Sequence, residues 1–333
     1  MSYDPEILRR ATARLAQQRR QRQDELAERR SRVERQLPRV AEIDARLRRT
    51  LLEVARATFL SPGDPAPAID ALREENLALQ AEREALLAGA GWPNDVLEDK
   101  PACPRCGDTG WVGASMCTCL KELCAQEQIR ELSKLLDLGE QSFESFRLDY
   151  YSTQLWPDMG KSPRANMELV LEVCRSYAQK FGSYYFDNLF LYGSPGLGKT
   201  FLSACIAREV AQRGFSVVYD TAGTVFAAFE AQKFSRDEED AREGRAETNR
   251  YLNCDLLILD DLGSELTTPF VQSALYTLLN TRLVARRRTV ISSNLTPDDV
   301  RRRYTPQIAS RLEGEFRALP FFGEDIRLKR ALE

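Results

Sequence analysis

The chain has 333 residues, 43% apolar and 29% charged, with a formal net charge of −3. No run of eighteen apolar residues occurs and the first thirty residues are Arg-rich and polar, which argues against a membrane span or secretory signal and predicts a cytoplasmic protein with no membrane partner. There is no histidine, so Ser-His-Asp and Cys-His chemistry are excluded, and any nucleic-acid affinity must come from local basic patches.

Residues 1 to about 90 read as a helical, coiled-coil region for partner binding. Leu26, Val33, Val40, Leu47 and Val54 recur every seven residues, with Leu37 and Leu51 in neighbouring seam positions. That period buries a narrow stripe against another helix. Pro38 should kink or restart the helix, and SPGDPAPA (61–68) is a break. After it Leu72, Leu79 and Leu86 repeat at seven, with Asn76 and Arg83 at the alternate seam positions. The expectation is an antiparallel hairpin or a short intermolecular coiled coil; a solvated helical bundle without a partner is the alternative.

Residues 91–140 form the second region. Cys103, Cys106, Cys117 and Cys119 are spaced C-x2-C-x10-C-x-C, two close pairs across a glycine-containing loop, which suits a tetrahedral zinc site. Four thiolates leave no open position, so such a zinc would be structural and would supply much of the module's folding free energy. Cys124 is an alternative to Cys117 or Cys119; reduced thiols or a redox pair are the alternatives to zinc. Cys174, Cys205 and Cys254 stand alone and read as small buried apolar residues.

Residues 141–165 read as a linker. From 166 to 333 strands (186–192, 215–220, 255–260 and 289–293) alternate with helical spans, predicting an α/β domain with a mostly parallel sheet. Between the first strand and a helix lie Gly193, Ser194, Pro195, Gly196, Leu197, Gly198, Lys199 and Thr200, matching G-x-x-x-x-G-K-[ST]. Backbone N–H groups of such a loop turn inward around phosphates, the lysine reaches the β/γ oxygens, and the threonine hydroxyl holds Mg²⁺. CDLLILDDLGSE (254–265) ends a strand in two acids: Asp260 would hold Mg²⁺ through water, and Asp261 stands where a base for the attacking water is expected, with Glu265 as a fallback. The strand at 289–293 runs out at Asn294, which either forms a turn or, beside the Walker-type acids, is placed to orient water or report on the γ-phosphate. Arg311, on the predicted helix within 304–316, is either a charge stabiliser supplied to a neighbouring subunit or a surface arginine.

In the order GSPGLGKT, LLILDDLGSE, LLNTR, TVISSNL, QIASRLEG, residues 141–333 resemble the DnaC/DnaI bacterial helicase loaders of the AAA+ superfamily. The segments CPRCGDTGW…CTCLK and LREENLALQAERE resemble the DnaI-like members. The resemblance implies an ATP- and Mg²⁺-dependent AAA+ ATPase that loads a DnaB-type replicative hexameric helicase onto single-stranded DNA. It further implies a helicase-gripping N-terminal region and self-assembly through the ATPase domain. Walker A then falls at Gly193–Thr200, Walker B at Asp260 and Asp261, sensor 1 at Asn294 and an arginine finger at Arg311. Gln307 stands where many relatives carry arginine, and Arg327 is the candidate for a missing lid arginine. An IstB-like transposition helper, or an adaptor that binds nucleotide without hydrolysing it, are the other readings. The runs Arg286–Arg288 and Arg301–Arg303 are candidate phosphate contacts or solvated faces, while Phe226 and Phe229 read as core, with facing DNA as the alternative.

Overall fold

The computed structural model describes residues 3–60, 66–135 and 141–330, so residues 61–65 of the SPGDPAPA break and 136–140, before the expected linker, lie outside the described residues. Two units form: Ala13–Cys117, and Met1–Thr12 together with Thr118–Glu333.

Helix α1 (Pro5–Gln36), which belongs to the smaller unit from Ala13 onward, stops and α2 (Pro38–Leu60) restarts around Leu37. Pro38 has no N–H to donate backwards and sits at the helix start, where none is needed. Helix α3 (Ala66–Gly89) runs antiparallel to α2: Arg39 pairs with Glu82 at 2.8 Å and Arg46 with Glu75 at 2.7 Å, so rising numbers on one helix meet falling numbers on the other. The polar seam residues are matched too, Thr50 Oγ1 donating to Asn76 Oδ1 (3.1 Å) and Arg83 pairing with Asp44 (2.8 Å). Val33 and Val40 are fully buried with Leu87, Val96 and Leu97, whereas Leu26 and Leu47 of the same heptad series are only half-buried. A short hairpin, β1 (Trp111–Val112) and β2 (Ser115–Met116), separates the two cysteine pairs.

The larger unit contains α4 (Thr118–Leu135), α5 (Pro163–Gln179), β3 (Asn188–Gly193), α6 (Lys199–Gln212), β4 (Val217–Thr221), α7 (Ala222–Phe234), α8 (Glu238–Asn253), β5 (Leu256–Leu262), α9 (Pro269–Val284), β6 (Arg288–Ser293), α10 (Pro297–Arg303), α11 (Pro306–Glu315), β7 (Phe316–Phe321) and α12 (Ile326–Arg330). The five strands are all parallel in the order β4-β5-β6-β3-β7. Successive residues alternate between two apolar layers. Leu189, Leu191, Leu256, Ile258 and Tyr219 face α5 and α6, while Phe190, Leu257, Leu259, Val218 and Ile291 face α7 and α9. Both faces of a parallel sheet must be covered, which is why these strands read as continuous apolar runs.

Two features differ from the expected organisation. Strand β7 was not foreseen: FRALPF mixes Arg317 and Pro320 into its run, tolerated because β7 is an edge strand with only β3 beside it. The supposed linker at 141–165 is folded onto the larger unit, where Phe143 and Tyr151 are buried in the layer that holds Leu191 and Leu202.

Four helix starts in this unit share one form. Ser162, Thr268, Thr296 and Thr305 each cap a helix by accepting a backbone N–H, and proline follows each cap. Helices α7 and α8 are capped by Thr221 and Asp237 without a proline, whereas α6 has no side-chain cap: Gly198, at φ 88°, precedes it and no side chain satisfies its first N–H groups.

Candidate functional site

Strand β3 is flanked by β6 and β7, while the chain leaving it crosses to the far edge at β4, so the carboxyl ends of β3, β5 and β6 meet at the switch in strand order. The glycine loop spans this point. Uncapped N–H groups at the start of α6 together with the helix dipole make an anion site. The loop is held from both sides: Tyr151 OH donates to Leu197 O (2.9 Å), and the Ile326 N–H donates to Gly196 O (3.0 Å). At Gly196, φ 73° favours glycine, and a Cβ there would require the Asp325 carboxylate to move aside.

The buried Lys199 ammonium donates to Gly193 O (2.7 Å), Ser194 O (2.8 Å) and Asn294 Oδ1 (2.9 Å). Burial pushes its pKa down to about 8, against the opposing pull of Asp260 and Asp261; the Arg327 charge pushes the same way as burial. A buried cation of lowered pKa beside open amides is suited to a phosphate, whose charge would favour the protonated form. Asn294 also donates from Nδ2 to Asp261 Oδ1 (2.9 Å), tying the lysine to the second acid. Asp260 is buried, and its Oδ2 accepts from Thr200 Oγ1 (3.3 Å) and from Tyr219 OH (2.6 Å), its Oδ1 from Ser292 Oγ. A hydroxyl and a carboxylate this close form the oxygen pair that a hard Mg²⁺ with retained waters takes.

The two acids occupy a bulge. Leu259 pairs with Ile291 but Leu262 with Ser293, so Asp260 and Asp261 together stand opposite the single Ser292. Ser292 Oγ serves both, donating to Asp260 and accepting from the Asp261 N–H (3.1 Å). Asp261 takes φ 55°, unusual for a residue with a Cβ, and its carboxylate therefore turns to Asn294. Glu265, the alternative base, is otherwise engaged: it accepts from the Gly263 N–H (2.8 Å) and from Tyr304 OH.

Lys199, Thr200, Asp260, Asp261 and Asn294 are thus one connected cluster. Arg311 is not in it. It lies on α11, half-buried, 5.6 Å over the Tyr276 ring, beside a surface groove also lined by Gln307, Ser310 and Glu315. Arg327 is exposed on α12. The basic runs are largely used internally: Arg301 pairs with Glu313, Arg302 with Asp299, Arg287 with Asp255 and Arg288 with Asp187, while Arg303 donates to Glu265 O and Thr267. Phe226 is buried and Phe229 packs against the same layer, as expected. Tyr219 and Ser292 were missed by sequence reasoning. A tyrosine in an apolar strand gives no local sign of its partner.

Residues 183–310 match the family model described as "IstB-like ATP binding protein". The Bacillus subtilis protein "Replicative helicase loader DnaI" is 31% identical over 123 residues, 35% of this chain and 36% of that protein. "Chromosomal replication initiator protein DnaA" of Caldanaerobacter subterraneus subsp. tengcongensis is 28% identical over 193 residues, 57% of this chain and 40% of that protein. The chain therefore spans well under half the length of these curated relatives. A solved DnaI structure superposes on 57% of this chain and 93% of its own, at 20% identity and a TM-score of 0.44. Within the matched stretch, residues 183–310, lie every member of the connected cluster and the strands that carry them, β3, β5 and β6.

Outside it, the sulfurs of Cys103, Cys106, Cys117 and Cys119 lie within 4.8 Å of one another, and Cys103 Sγ is 3.7 Å from Cys117 Sγ. Tetrahedral zinc with bonds of about 2.3 Å requires sulfur separations of about 3.8 Å, so the set fits. Cys124 is outside the cluster, buried on α4, where burial pushes its thiol up to about 11. The first turn is organised by an unforeseen residue, Asp108. Its buried carboxylate accepts from the Cys103 N–H (2.7 Å) and the Ala102 N–H (3.1 Å) and pairs with Arg22. No described helix is long and apolar enough to cross a membrane.

Proposed function

We propose that this chain is an AAA+ ATPase that loads a replicative hexameric DNA helicase onto single-stranded DNA, with ATP binding and hydrolysis driving assembly and release. The observation that carries the ATPase part is the unbroken network from Lys199 through Asn294 to Asp261, beside Thr200 and Asp260. Bound MgATP supplies the reactive phosphoryl group. Lys199 and the α6 amides bind and orient its phosphates, Thr200 and Asp260 hold the metal, and Asp261 takes the proton of the attacking water, oriented by Asn294. Arg311 is set apart from this cluster, which suits a role at a neighbouring subunit's nucleotide. The loader part rests on the DnaI match, and the Cys103–Cys119 zinc module with α1–α3 is assigned to gripping the helicase.

Two measurements test this. ATP hydrolysis with single-stranded DNA should fall more than tenfold in Lys199→Ala and in Arg311→Ala, with nucleotide affinity lost only in the first; equal rates for all three proteins would leave a non-hydrolysing adaptor. Native mass measurement with the host's replicative helicase should show an ATP-dependent complex. Because the matched family is IstB-like, a transposition helper is the second reading, and failure to bind any helicase would favour it.

A further inference from the structure

We propose that Tyr219 is a positioning residue for the magnesium site, its hydroxyl fixing the orientation of the Asp260 carboxylate that the cation requires. This rests on the ATPase reading above. Tyr219 pairs with Ile258 on the neighbouring strand, and Asp260 lies two residues further along the same pleat, on the face towards α6. A diagonal of that kind is within reach of a long aromatic side chain, and the Tyr219 hydroxyl arrives 2.6 Å from Asp260 Oδ2. Thr200 Oγ1 reaches the same oxygen from the other side, and Ser292 Oγ holds Oδ1.

A carboxylate has about four acceptor positions. Three donors from three different elements (β4, β6 and the start of α6) fix both the plane of the Asp260 carboxylate and its rotation, leaving one direction for a metal's water. Tyr219 is the shortest donor to Oδ2 and is only 4% exposed, so water has little access to replace it. Its ring stands in an apolar layer with Val217, Ile258 and Leu202, where phenylalanine would pack equally well and bury no hydroxyl. The hydroxyl is therefore the part that the site uses. Outer partners of metal-holding carboxylates commonly change metal affinity by about 10–100-fold when removed.

The test is calorimetric binding of a non-hydrolysable ATP analogue to the full-length protein, once with EDTA and once with magnesium chloride. In Tyr219→Phe the magnesium-free affinity should match wild type, while the tightening produced by magnesium should fall about tenfold. Thermal melting of the same variant controls for damage to the fold. In an Asp260→Asn background the tyrosine substitution should have no further effect on the magnesium response, because the two residues act through one contact. A full magnesium response in Tyr219→Phe, or an equal additional loss in the Asp260→Asn background, overturns the assignment. Wild type that binds the analogue with no magnesium response, or does not bind it, overturns the ATPase reading and this inference together.

Discussion

In the larger unit, five parallel strands bury apolar side chains on both faces, and the charged residues near the sheet are mostly confined to the nucleotide site and the strand ends. In Ala13–Cys117, the described apolar cluster is Val33, Val40, Leu87, Val96 and Leu97; the ion pairs between its helices are largely exposed and add little, and the unit also holds three of the four clustered cysteines, Cys103, Cys106 and Cys117. The contrast shows two ways of making a unit cohere. A two-faced sheet removes enough apolar area from water to offset chain entropy, whereas a unit with a small core needs a metal or a partner.

The largest effect that would break this contrast concerns the metal. Structural zinc contributes about 10–16 kcal/mol of binding free energy in small modules. Chelation under reducing conditions should therefore open residues 100–120 to protease while the ATP-analogue affinity of the larger unit persists. Protein purified under metal-replete conditions should carry close to one zinc per chain, and its absence would remove this leg of the comparison. Next, Leu191→Ala, in the middle of the sheet, should cost the larger unit about 2–5 kcal/mol in denaturant unfolding without changing the digestion of 13–117. Arg22→Met leaves Asp108 buried without its cation, at a cost of about 3 kcal/mol confined to the smaller unit; equal destabilisation of both units would contradict the contrast.

The pH dependence sharpens it from the other side. With Lys199 near pKa 8 and a phosphate favouring the charged form, nucleotide binding above pH 8 must take up a proton. Affinity should then weaken by up to about tenfold per pH unit, and binding heats should depend on buffer ionisation enthalpy; below pH 8 neither effect is expected. For folding the sign is opposite. Between pH 8 and the ordinary lysine value of 10.5 the unfolded chain holds the proton, so this group makes stability rise with pH. The smallest effect belongs to the exposed pairs: Arg39→Ala should shift thermal melting barely measurably, and less still at high salt.

Asp261 shows how far the sequence carried the site. That it follows Asp260 at a strand end is plain in LLILDD. What brings the shorter acid to Asn294 is the bulge opposite Ser292, together with φ 55° at Asp261. If that geometry sets its reach, Asp261→Glu should hydrolyse ATP more slowly than wild type, despite carrying the longer acid. Strand β7 was hidden for a comparable reason: its composition suits an edge, and being an edge is a property of the assembled sheet. The arginine runs were ambiguous because their acidic partners lie 12 or more residues away in three of the pairs, as with Arg301 and Glu313.

The sequence alone determined whatever depends on neighbours along the chain. This includes the phosphate loop and its lysine, the helix starts written as Ser/Thr-Pro, the alternation of strand and helix, and the paired cysteines, because backbone torsions and local hydrogen bonds act over a few residues. Only tertiary structure decided which distant groups share an oxygen atom. It set Tyr219, Ser292 and Thr200 around Asp260, Arg22 against Asp108, and Arg311 away from the cluster. Strand order and packing bring such groups together, and neither is a property of any short stretch of chain.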